Sequence, residues 1–133
     1  MPEYRIGQVA ELLGVSADTV RRWADAGKVK TSLGAGGRRL IDGLDLARLA
    51  TELAGEPSHP DRRRQSARNR VRGIVTEVTK DGVAAQVEVV SGPHRFVSLI
   101  TREAADELGL VPGTVADVVV KATNVGIELP AKF

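Results

Sequence analysis

A chain of 133 residues with 42% hydrophobic and 27% charged residues has the makeup of a folded globular protein, with room for one ordinary domain or two small ones. The absence of cysteine excludes disulfides and thiolate metal sites, and no apolar run approaches the roughly 20 residues of a membrane span, so a cytoplasmic location is expected. The net charge of +2 is too small to settle anything, but cations bunched at Arg21-Arg22, Arg38-Arg39 and Arg62-Arg63-Arg64 fit a small docking face better than a general polyanion binder.

In chain order, apolar residues first recur at helical spacing: Ile6, Val9, Ala10, Leu13, then Val20, Trp23, Ala24, then Leu44, Leu46, Ala47, Leu49, Leu53. The pattern predicts a first helix from about Gly7 to Leu13, with Gly14 permitting a tight turn. Ser16 suits the N-cap of a second helix that Gly27 would end. Two short helices joined by such a glycine-containing turn form a helix-turn-helix. On the second helix Val20, Trp23 and Ala24 share the face that packs on the first, which makes Trp23 a core residue. Thr19, Arg21 and Arg22 lie off that face, free to meet a DNA groove, where arginine forks onto guanine or clamps a phosphate. KVKT and RRLI then read as paired strands around a glycine-rich tip, a wing, and a third helix follows from about residue 43.

Residues 55–65, GEPSHPDRRRQ, have the composition of a linker. Beyond about residue 70 the period changes: β-branched runs predict strands over Val71–Val78, Val83–Val90, Phe96–Ile100, Val115–Val120 and Val125–Leu129. Between them TREAADELGL predicts one helix, capped by Thr101 and stopped at Gly109. The chain therefore divides into a mainly α and a mainly β half.

Within the second half, Ser66 and Arg68 stand where linker becomes strand, and Lys121 and Thr123 carry similar chemistry near the other end. A tetrahedral dianion offers only acceptors, so it calls for hydroxyl, ammonium and guanidinium groups together with free backbone N–H groups. Thr101, at a helix start, is a third candidate. Enzyme readings find no support. His59 and His94 have no companion motif and read as exposed loop residues, and no phosphate loop or dinucleotide fingerprint is present.

Residues 4–54 resemble the MerR/excisionase-like winged helix-turn-helix family, through VSADTVRRW for the recognition helix, GGRRL for the wing and DLARLA for the helix after it. The resemblance implies binding of double-stranded DNA, with Ser16, Thr19, Arg21 and Arg22 facing the groove or its phosphates and Arg38 and Arg39 gripping backbone from the wing. The long dimerising coiled coil of full-length MerR regulators has no counterpart.

From Ser66 to Leu129 the sequence resembles the molbindin (Mop-type) fold of the TOBE group, which binds molybdate and often tungstate. The matching motifs are SARNRVRGIV, LITREAADELGL and VPGTVADVVVKATNVGI. Together the two resemblances imply an α+β chain of two domains: a winged helix-turn-helix over 1–54, a linker over 55–65, and over 66–133 an OB-like five-stranded β-barrel with one short helix. They place oxyanion sites between subunits, lined by Ser66, Ala67, Arg68, Thr101, Lys121, Ala122 and Thr123, with Ala67 and Ala122 offering backbone groups. A single copy of the β domain must find its second half in another chain, so a homo-oligomer, dimer or hexamer, is expected. The expected function is a molybdate-responsive DNA-binding transcriptional regulator; the alternative is a molybdate or tungstate store whose helix-turn-helix serves assembly.

Overall fold

The computed structural model describes residues 2–55 and 66–133. Apart from Gly55, the expected linker, with His59 and arginines 62–64, lies outside the described residues. The chain forms two compact units, the first from the N-terminal residues together with Pro130–Phe133, the second running up to Leu129.

In the first unit, strand β1 (Glu3–Arg5) leads into helices α1 (Ile6–Leu13) and α2 (Ala17–Asp25), then strands β2 (Thr31–Leu33) and β3 (Arg39–Asp42) and helix α3 (Gly43–Ala54). Val9, Val20 and Ile41 are fully buried beside Val29, Leu46 and Leu49, and Trp23 and Ala24 pack against them, as their helical spacing predicts. The wing is antiparallel, with Ser32 opposite Leu40. At its tip Gly36 and Gly37 sit at φ 76° and 74°, a left-handed backbone that side chains disfavour. Strand β1 was not anticipated; it joins the sheet on the other side of β3, with Tyr4 opposite Ile41.

The Asp45 carboxylate, buried on α3, accepts the Lys30 N–H at 2.7 Å and pairs with Arg48 at 3.0 Å, fastening the approach to the wing onto α3. Asp45→Ala would strand that donor, and we expect a loss of about 1–3 kcal/mol, measurable by urea denaturation of the purified protein.

The second unit contains strands β4 (Ala67–Lys80), β5 (Ala84–Ser91) and β6 (His94–Thr101), helix α4 (Arg102–Glu107) and strand β7 (Val115–Lys121). The strands form one antiparallel sheet in the order β6-β5-β4-β7. Val75, Val87 and Val89 make its buried core, joined by Val78, Ile100, Leu110, Ala116 and Val118. Thr101 caps α4 by accepting the Ala104 N–H, and Gly109 ends the helical stretch at φ 64°, both as expected.

The five-stranded barrel expected for this unit requires correction. Its sheet has four strands, and residues 125–129 join none of them. Ile127 and Leu129 are 94% and 90% exposed. Their alternation with Gly126 and Glu128 suits a strand, but a strand forms only against an edge that accepts its backbone hydrogen bonds, and residues 125–129 pair with neither edge strand, β6 or β7.

Gly73 marks the tightest point of the sheet. A Cβ there would lie 2.5 Å from the Val90 carbonyl oxygen and 2.9 Å from Val89 Cγ1. Gly73→Ala must push two strands apart, and we expect about 1–3 kcal/mol of destabilisation, read as a lower melting temperature at matched protein concentration.

Candidate functional site

The first candidate surface lies on the helix-turn-helix. Ser16 caps α2 by accepting the Thr19 N–H at 3.1 Å, and the two hydroxyls are 2.8 Å apart, so both side chains serve the helix start as well as its outer face. Arg21 pairs with Asp18 at 2.9 Å, and Arg22 donates to the Thr19 hydroxyl at 3.3 Å. Arg39 reaches from the wing to Asp25 on α2 at 2.7 Å, which ties wing and helix together. Arg21, Arg38 and Arg39 line one open cleft, and Arg22 is not among its lining residues. Sequence reasoning passed over Arg5, which lines the same cleft from the N-cap of α1; an isolated arginine before an apolar run carries no signal until the fold gathers its neighbours.

The residues proposed for the oxyanion fall into two groups. Ala67 pairs with Lys121 across β4 and β7, and Asn69 with Val120, so Arg68 is the extra residue of a β-bulge. Such bulges re-aim a side chain where pairing ends. The Asn69 amide donates to the Val120 carbonyl at 3.1 Å and holds this end closed. The 3-10 turn Ala122–Asn124 lies against β4. Ser66, Ala67, Arg68, Lys121, Ala122 and Thr123 are thereby gathered at one end of the sheet. The bulge and Asn69 were not anticipated, because register is not written in local sequence.

Thr101 belongs to the other group. It stands opposite Ala84 at the far end of β6, beside the end of β4 that carries Lys80. Strand β4 runs fourteen residues from Ala67 to this end, a contour length on the order of 40 Å at about 3.3 Å per residue. Around Thr101 lie Glu103, Asp106 and Glu107 as well as Arg102. A hydrogen bond from Lys80 holds the Asp106 carboxyl below its ordinary range, so the acid there stays ionised. One copy of the chain thus gathers Arg68 and Lys121 at one end and leaves Thr101 at the other, beside the Lys80–Asp106 and Arg102–Asp106 pairs.

Among the described residues no group of histidine, aspartate or glutamate is arranged to hold a metal ion, and no helix is long and apolar enough to cross a membrane.

Comparison with known proteins matches residues 65–127 to the TOBE domain and residues 5–41 to the MerR family regulatory protein model. Molybdenum-pterin-binding protein 2 of Clostridium pasteurianum is 36% identical over 63 residues, which are 47% of this chain and 93% of that protein. The chain belongs to the TOBE family of the Mop proteins. It carries in front of the TOBE domain a helix-turn-helix of the MerR family, and both families consist of binding and regulatory proteins rather than enzymes. Molybdenum-pterin-binding protein MopA of Rhodobacter capsulatus is 40% identical over 63 residues, but these span only 24% of that longer protein. A molybdate binding protein from Sporomusa ovata has a solved structure that is 31% identical, with a TM-score of 0.48, covering 49% of this chain and 97% of that one. The TOBE match contains every residue of the candidate oxyanion set, and the MerR match every residue of the candidate DNA-binding set.

Proposed function

We propose that the chain is a molybdate-responsive DNA-binding regulator. Residues 1–54 read double-stranded DNA and the TOBE domain, 66–133, binds the oxyanion between two copies of the chain, joined by a linker over 55–65. The observation that carries this reading is the separation of the two site groups. Ser66, Arg68, Lys121 and Thr123 stand together at one end of the sheet and Thr101 at the other, so one complete set of donors requires two chains. The donor set suits a tetrahedral dianion, molybdate or tungstate, and the relatives are named for molybdenum. The exposed apolar residues of 125–129 supply a surface for the association.

A dianion seated between subunits neutralises facing Lys121 and Arg68 charges and favours one arrangement of the pair. That arrangement sets the spacing of two recognition helices, which on DNA must be about 34 Å or a multiple of it. The ligand shifts the equilibrium only by its differential affinity for the two arrangements.

A mobility shift on a duplex selected from a random pool by the intact protein, with and without molybdate, tests the reading. Sequence-selective binding that changes with molybdate is the expected result. A second reading is favoured by one observation: the Clostridium relative consists almost wholly of the TOBE-type stretch, 93% of its length, without a DNA-reading unit. On that reading the protein stores molybdate and the helix-turn-helix serves assembly. Stoichiometric oxyanion binding with no sequence-selective shift at moderate salt would decide for storage.

A further inference from the structure

Four arginines line the cleft between α1, α2 and the wing. Arg5 enters from the junction of β1 and α1, Arg21 from α2, and Arg38 and Arg39 from the wing, around an open space of about 540 Å³. Like charges brought to one place repel, and folding tolerates this where water or an anion screens them. Two of the four are balanced within the fold, Arg21 by Asp18 and Arg39 by Asp25. Among the described residues no acidic side chain pairs with Arg5 or Arg38, which leaves the cleft a net charge of about two.

The backbone around the cleft is bare in the same direction. Gly7 and Gly37 border it, and at neither would a Cβ meet anything within 4 Å, so an approaching group reaches the main chain unhindered. The amides of the first turn of α1 have no acceptor within their own helix. The Arg5 amide is already satisfied, donating to Gln8 Oε1 at 2.9 Å, which fixes the backbone from which the Arg5 side chain springs.

We infer that this cleft is a clamp for a single DNA phosphate and that Arg5 is its fourth, unassigned member. The inference rests on the DNA-binding reading above and divides its residues by task. Arg5, Arg21, Arg38 and Arg39 hold one phosphodiester and set affinity and register. Arg22, outside the cleft and braced by Thr19, is left for the base edges. Phosphate contacts position a protein without carrying sequence information, whereas base contacts specify.

The two tasks separate in a salt titration. Binding is measured between about 0.05 and about 0.3 M potassium chloride, about a sixfold range, from which a counterion-release slope is read. The probes are a duplex selected from a random pool by the intact protein and an unrelated duplex of equal length. Arg5→Ala is expected to make the slope of log K against log salt shallower by about 0.9, so that across the about sixfold salt range the variant loses about fivefold less affinity than the intact protein. Both duplexes should weaken by the same factor. Arg5→Lys, which keeps the charge, should restore the slope, while Arg22→Ala should narrow the ratio between the two duplexes.

An unchanged slope in Arg5→Ala while the intact protein binds DNA overturns the clamp alone. Weakening confined to the selected duplex overturns it in favour of a base contact. A free ion is the other source of the same chemistry. Calorimetry with inorganic phosphate and molybdate on Lys121→Ala protein distinguishes it: stoichiometric binding abolished by Arg5→Ala, with the DNA slope unaltered, would make the cleft a small-anion site instead. Failure of the intact protein to bind either duplex would remove the DNA-binding reading itself, a result distinct from all of these.

Discussion

Lys121→Ala is expected to weaken molybdate binding about 30- to 150-fold, the equivalent of about 2–3 kcal/mol, and to leave DNA binding without oxyanion unchanged. The ammonium group sits where β7 ends against the start of β4, opposite Ala67 and next to the turn that presents Thr123. A hydrogen bond between two charged groups contributes more than a neutral one, and removing its donor leaves acceptors on the anion unserved. Titration calorimetry with molybdate, tungstate and sulfate measures the loss and ranks the three anions. Arg22→Ala should behave in the opposite sense, keeping oxyanion affinity and losing DNA selectivity. If each substitution abolishes both activities, the division of labour between the two units is wrong.

Ile127→Asp is expected to dissociate the proposed dimer, with a dimer constant weaker by a factor of about 100 or more, and to abolish oxyanion binding with it. Val125, Ile127 and Leu129 are all substantially exposed, and all fall on alternate positions of one extended segment. Fully burying such a side chain contributes about 1.5–3 kcal/mol, and carrying an unpaired carboxylate into the same place costs more. Mass determination in solution across a dilution series reads the dissociation directly. Because the segment makes no strand within its own chain, the isolated unit should keep its fold, visible as an unchanged β signature in circular dichroism. A variant that stays dimeric and binds molybdate normally would show that the association uses another surface.

Much of the first unit was legible because its determinants are close together in the chain. The Ser16 cap, the turn at Gly14 and the Val20-Trp23-Ala24 face all act within one or two helical turns, and the structure contains each of them. Four of the strands of the second unit were also readable, since β-branched runs mark strands wherever they occur. What escaped depends on residues far apart. Strand β1 has no pattern of its own and exists because β3 accepts it. Nothing in the local sequence marks Asp45 as buried, because Lys30 reaches it only across the fold. The fifth strand failed for a related reason: an alternating sequence says that a segment can pair, not that it does so within its own chain. The candidate oxyanion residues were legible as motifs, but their distribution over two ends of a sheet was not, because Thr101 and Ser66 are related only through the register of two strand pairs.

That distribution carries a consequence for counting. When two identical chains associate about a two-fold axis, every contact occurs twice, once in each direction. If the cationic end of one sheet meets the Thr101 end of its neighbour, the reverse meeting happens as well, and the pair gains two equivalent sites at once. The first ligand then helps to align the groups that the second will use, and saturation should be steeper than independent binding allows, with one ligand per chain at the plateau. A sensor built this way responds over a narrower span of ligand concentration than a chain holding a whole site by itself.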